Sequence, residues 1–149
     1  MSGITQAMCT SFKSELLGGF HDLDTDQLKM ALIKPSPSGT YGAATTNYSD
    51  VTGNSDEVGT SGTNYSAGGV DLTGAVITVS GTTAFLDFTD NAVFSTVDLD
   101  ARGAIIYNSS KANRAVCLLD FGETKTATDG DFTVVFPTAG ATTAIIRIA

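Results

Sequence analysis

The chain has 149 residues, with sixteen acidic and eight basic side chains, a net charge of −8, and only 16% charged residues in all. That length fits one domain with a real core, and the acidity argues against nucleic acid, since phosphate contacts need a basic surface. No stretch approaches the roughly 18 continuous apolar residues of a membrane span, and the N-terminus lacks the basic region and apolar core of a signal peptide.

Cys9 and Cys117 are the two cysteines. Cys117 lies within an apolar run and reads as a small buried hydrophobe. A disulfide framework is therefore not expected, and synthesis in a reducing cytoplasm is the simpler reading.

Thr5–Leu17 reads as a helix, because Ile4, Met8, Phe12 and Leu16 recur every fourth residue. Ser2 or Thr5 can cap its start, and Gly18-Gly19 ends it. A helix this short is marginal alone in water, so its stripe must lie on something. One surface is the domain's own sheet. The other is a neighbouring subunit, with residues 1–19 as a docking arm and Met8, Phe12 and Leu16 as its contacts.

Phe20–Asp26 turns the chain, and Gln27–Lys34 follows as a strand stopped by Pro35 and Pro37. Residues 36–69 form a long polar tract, and a loop of that length inside a compact domain tends to be functional or disordered. Tyr41, Tyr48 and Tyr65 are spaced through it. Either they pin the tract to its own sandwich or they present contact area to a partner.

Strand signals then come closely spaced. Val70–Leu72 is short, and Ala75–Ser80 and Thr83–Phe88 flank Gly81-Thr82, a tight hairpin with glycine first. Val93-Phe94 predicts another short strand. The stretch Ala101–Phe121 holds two apolar runs, Ala104–Tyr107 and Ala115–Leu119, separated by Asn108–Arg114. Both runs lack polar alternation, as central strands covered on two faces do. Asp129-Gly130 reads as a turn before the strand Asp131–Phe136, and Ala144–Ile148 closes the chain as a strand. The fold class is mainly β: one antiparallel sandwich or jelly roll of about eight strands with one N-terminal helix.

No catalytic constellation assembles from these residues. His21-Asp22-Leu23-Asp24-Thr25-Asp26 opens like an EF-hand loop, but Gln27 and Ile33 stand where the turn glycine and bidentate glutamate belong. His21 is the one histidine and reads as a surface residue. No glycine-rich nucleophile turn surrounds a serine, Asp87 alternates with Leu86 and Phe88 as an outward residue, and Gly59–Gly62 lacks the lysine of a phosphate loop. Neither enzyme, metal nor cofactor is expected. Arg102 needs a carboxylate, with Asp98, Asp100 and Asp120 in range, and an ion pair inside the domain is the ordinary outcome.

Several segments together carry a family likeness: MSGITQAMCTSFKSELLGGFHDL with the strand LKMALIK, the TNYS and GTNYSAGG pieces, ARGAIIYNSSKANRAVCLLDFGETKT, and DFTVVFPTAGATTAIIRIA. The chain resembles small virion structural proteins of tailed bacteriophages, over nearly its whole length. The resemblance implies capsid decoration, or cement: a compact β protein bound outside the mature shell. Its expected partners are the major capsid protein and copies of itself, as dimers or trimers, at the capsid surface after synthesis in the host cytoplasm. The family offers no catalytic residue to carry over. A tail or head–tail joining component is an alternative, as is a receptor- or carbohydrate-binding β module, which the absence of tryptophan disfavours.

Overall fold

A computed structural model describes residues 3–149. The protein is mainly β and antiparallel, as expected. Among the described residues the elements are β1 (Ala7–Met8), α1 (Thr10–Leu17), β2 (Leu28–Ile33), α2 (Ser49–Gly53), β3 (Val70–Asp71), β4 (Ala75–Ser80), β5 (Thr83–Phe88), β6 (Ala92–Asn108), β7 (Arg114–Val134) and β8 (Ile146–Ile148). They form a five-stranded sheet in the order β1-β7-β6-β2-β3 and a three-stranded sheet in the order β4-β5-β8. Both sheets feed one core, in which Leu86, Phe88 and Ile146 join Met30, Ile105 and Leu118. The layers are sandwich-like, and the sheets do not close on one another.

The β6–β7 hairpin is the spine. It turns through residues 109–113, with Asn108 paired to Arg114, where the polar segment was expected. Ala104, Ile105, Ile106, Ala115, Val116 and Leu118 are fully buried, which accounts for the missing polar alternation in both runs. Farther from the turn, residues 92–101 of β6 alternate buried and exposed, because only one face there meets the core.

The Asp129-Gly130 turn signal marks a bulge instead of a reversal. Val93-Phe94 belongs to β6, and Asp129-Gly130 lies within β7, so what reads as four short strands is two long ones. Asp131 Oδ1 accepts the Thr96 amide at 3.0 Å, and Asp98 Oδ1 accepts the Asp129 amide at 2.9 Å. Thr96 and Asp129 both take positive φ at register shifts in the ladder. The residue chemistry that makes a turn also satisfies the extra amide of a bulge.

The helix is shorter than its periodicity predicts. Ile4 bridges to Tyr41, Met8 pairs with Cys117, and the Cys9 amide donates to Val116 O, so residues 4–9 are extended. Sheet pairing satisfies those amides and overrides the four-residue spacing. Cys9 stands at the N-cap without a side-chain cap bond. Thr5 is thus not the cap, and Ser2 lies outside the described residues. The end is as expected: Phe20 N donates to Glu15 O, Gly19 N to Leu16 O, and Gly19 sits at φ 75°, a Schellman closure that favours glycine.

Candidate functional site

The polar tract of residues 36–69 is ordered by two consecutive carboxylates. Asp56 is fully buried. Its Oδ2 accepts from the Tyr41 hydroxyl at 2.5 Å and the Gly39 amide at 2.8 Å, and its Oδ1 accepts the Ser38 amide at 2.9 Å. Glu57 accepts from the Tyr48 hydroxyl at 2.5 Å, the Tyr65 hydroxyl at 2.8 Å and the Gly68 amide at 2.7 Å. All three tract tyrosines therefore end on this pair. Burial pushes the Asp56 carboxyl up, but the bonds from Tyr41, Ser38 and Gly39 outweigh it and hold the group down at about 2. Burial, then the Asp56 bond, pushes the Tyr41 phenol up to about 12.

This arrangement corrects the expected contact set. Phe12, Tyr41 and Tyr65 are 0%, 1% and 3% exposed, so in the protomer they serve its own core and offer no surface to a partner. Tyr48 is half-buried, its ring stacked on Tyr107 at 4.5 Å. Met8 and Leu16 are partly buried and line surface grooves. Of the six, only Met8, Leu16 and Tyr48 retain surface. Nothing in the sequence alone pairs Asp56 with Tyr41 or Glu57 with Tyr48 and Tyr65, since the partners lie eight to fifteen residues apart in an irregular segment.

His21 is a second correction. Its side chain is fully buried, tilted against the Phe12 ring and edge-on to Phe20, with ring centroids at 4.9 and 5.2 Å. Nε2 lies 3.2 Å from Glu15 Oε1, and Nδ1 lies 3.0 Å from Asn108 Nδ2. The Asn108 amide nitrogen also donates to Asp26 Oδ2, and its Oδ1 accepts the Ser110 amide. An amide nitrogen facing Nδ1 requires Nδ1 to accept, which places the proton on Nε2 toward Glu15. Arg114 Nε completes the chain on Glu15 Oε2 at 2.6 Å. With both ring nitrogens committed, the group ties the end of α1 to the β6–β7 turn.

The EF-hand-like segment is a turn. Asp22 N donates to Asp26 Oδ2, Asp24 N donates to Asp22 Oδ1, and Asp26 N donates to Asp22 O. Among the described residues no three His, Cys, Asp or Glu side chains gather as a metal site. Arg102 pairs with Asp120 at 2.7 Å, one of the three carboxylates expected. Asp87 is buried, not outward: Oδ1 accepts the Phe88 amide, and Oδ2 has no partner. Cys9 and Cys117 are buried thiols, both pushed up to about 12 chiefly by burial, which leaves them inert as nucleophiles.

What the surface does offer is apolar. A groove of about 470 Å³ runs between the end of α1 and the smaller sheet; its sheet side is apolar, with Ile77, Leu86, Ile146 and Ile148, and Asp22 and Asp24 stand beside Leu16 and Leu23 on the other side. Around it Val79 is 69% and Ile148 55% exposed. On the pleat, Ile77, Val79, Leu86, Ile146 and Ile148 share one face, since Ile77 pairs with Leu86, Val79 with Ala84, and these with Ile146 and Ile148. Leu17, just beyond Leu16 at the end of α1, is the most exposed of the large apolar residues. The sequence signal was present in AVITVS, which carries no charge. Comparison with protein-family models, with curated proteins and with solved structures finds no match.

Proposed function

We propose that this chain is a structural protein of a tailed-phage virion, acting as a capsid decoration protein on the mature shell. It would bind the major capsid protein and copies of itself, and it would work by contact, without catalysis, metal or cofactor. The observation that carries the reading is the uncharged apolar face around Ile77, Val79 and Ile148 on a chain of net charge −8. Contiguous exposed apolar surface rimmed by polar residues marks an interaction site. A low-charge skin of Thr, Gly and Ala around it suits repeated subunit contacts.

The experiment is a copy count by quantitative mass spectrometry of virions made from the genome that encodes this chain. Hundreds of copies per particle support decoration. About six or twelve copies would move the protein to a tail or joining ring, and its absence from virions would overturn the reading. Incubation with expanded and unexpanded shells then tests the preference for the mature shell, with binding expected on expanded shells.

A further inference from the structure

β4 is a sheet edge with nothing to guard it. It terminates the order β4-β5-β8, all six of its residues are exposed, and its sequence Ala-Val-Ile-Thr-Val-Ser carries no charge and no proline. Its register against β5 runs without a shift from Ala75 to Ser80. Edge strands of stable monomers are blunted by lysine, proline, bulges or brevity. None of these devices is present here.

The unpaired backbone groups are identifiable. Ser80 and Thr83 flank a two-residue turn and pair directly. A tight hairpin of this kind closes on a hydrogen-bonded pair, and such pairs alternate along an antiparallel ladder. The N–H and C=O groups of Ser80, Thr78 and Val76 therefore point to β5. Those of Ala75, Ile77 and Val79 point outward.

We propose that β4 pairs antiparallel with β4 of a second copy of this chain about a two-fold axis at Ile77, making one continuous six-stranded sheet. This deepens the self-association in the function proposed above and rests on it only for its setting in the virion. A two-fold axis normal to the sheet keeps each face on its own side. Ile77 then meets Ile77 of the second copy, Val76 meets Thr78, and Ala75 meets Val79. These are β-branched or small pairs of the kind that stabilise a ladder, and about six new backbone hydrogen bonds form.

Self-complementarity selects a second copy: about the Ile77 axis each residue from Ala75 to Val79 meets a small or β-branched, uncharged residue of the same strand. The net charge of −8 opposes contact between copies over most approaches, and the β4 edge brings no carboxylate opposite another. Pairing also places the Ile77 and Val79 faces of both copies side by side, extending the apolar wall of the groove across the axis. The pairing is isologous and closes as a dimer. Joining β4 to the β8 edge of another copy would be heterologous and would grow open-ended.

The test is sedimentation equilibrium on the full chain with Val79→Lys and Val79→Pro. Both variants leave the hydrogen bonds to β5 in place, because the Val79 N–H points away from it, and circular dichroism with a thermal melt checks that each folds as the wild type does. The expected result is a wild-type species at twice the 15.3 kDa chain mass, with dimerisation weakened at least about tenfold in both variants. A Leu17→Ser control, away from the edge, keeps the dimer. A monomer at every concentration the chain tolerates overturns the proposal, as does a dimer indifferent to both Val79 variants or an open-ended polymer. Shell binding by a monomeric wild type would overturn the dimer and leave the decoration reading standing. A β4 dimer on a chain absent from virions would do the reverse.

Discussion

Tyr41 donates its hydroxyl to Asp56 Oδ2 at 2.5 Å, with both side chains out of solvent. The bond fastens the polar tract at its first tyrosine, and Tyr41 is also bridged to Ile4. Removing the carboxylate strands the Ser38 and Gly39 amides and the Tyr41 hydroxyl together. Asp56→Ala is expected to cost roughly 3 kcal/mol by denaturant titration, from several buried donors left unpaired. Tyr41→Phe keeps the ring and is expected to cost about half as much.

The same carboxylate sets an acid limit. Its folded value is depressed from 3.8 to about 2, so its contribution is complete above the unfolded value and is lost as pH falls from about 4 through 2. On the order of 2 kcal/mol should disappear across that window. Comparing wild type with Asp56→Asn isolates it, since the amide does not titrate. Parallel acid-unfolding curves for the two would remove Asp56 from the account.

How far the sequence went is visible at these residues. The β4–β5 hairpin, the central β6–β7 hairpin and the glycine stop of α1 were legible, because each depends on local periodicity or turn chemistry. The bulges were not, since Asp129 takes a positive φ in a bulge as readily as in a turn, and only pairing with β6 decides which. The N-terminal extension of α1 failed because Met8 and Cys117 pair across more than a hundred residues. His21 was misplaced because polarity predicts exposure only when no partner is folded against the group, and Glu15 and Asn108 are. Asp87 was misplaced because β5 is covered on both faces from Phe85 to Phe88, so alternation there does not point a residue outward. In the candidate surface, the uncharged AVITVS strand was legible as a strand, but its edge position is set by sheet order.

His21 is expected to be structural. His21→Ala leaves Glu15 and Asn108 without their buried partner and opens a gap beside Phe12. A loss of roughly 2–4 kcal/mol should follow. A double-mutant cycle between Glu15 and Arg114, joined at 2.6 Å, should give a coupling near 1 kcal/mol, since the pair is partly exposed. Wild-type stability in His21→Ala would show that the imidazole serves something other than the α1 junction.

Gly69 has no tolerated substitute. A Cβ there would lie 1.7 Å from Met30 O, a backbone atom of β2, and the residue sits at φ 78°. Neither the carbonyl nor the turn can move without breaking the β2–β3 pairing at Met30 and Val70. Gly69→Ala is expected to cost more than about 3 kcal/mol, read as a fall in melting temperature. Gly62, also at positive φ but open on all sides, is the control, and Gly62→Ala should cost about 1 kcal/mol.

The four tyrosines give an alkaline readout uncomplicated by tryptophan, which the chain lacks. Burial is the leading cause for each, and it pushes Tyr41 and Tyr107 up to about 12 and raises Tyr48 and Tyr65 as well. Glu57 adds to the effect at Tyr48, Tyr65 and Tyr107, because a phenolate beside a carboxylate is repelled. The folded values lie above the ordinary 10, so this part of the stability is complete below pH 10 and falls as pH rises toward 12. Phenolate absorbance should stay low through pH 11 and then rise together with loss of the β signal in circular dichroism. Glu57→Gln keeps an acceptor and removes the charge, so it should bring that rise to lower pH. Early ionisation of even one tyrosine in the folded wild type would mean that the tract, and the carboxylate pair holding it, is open to water.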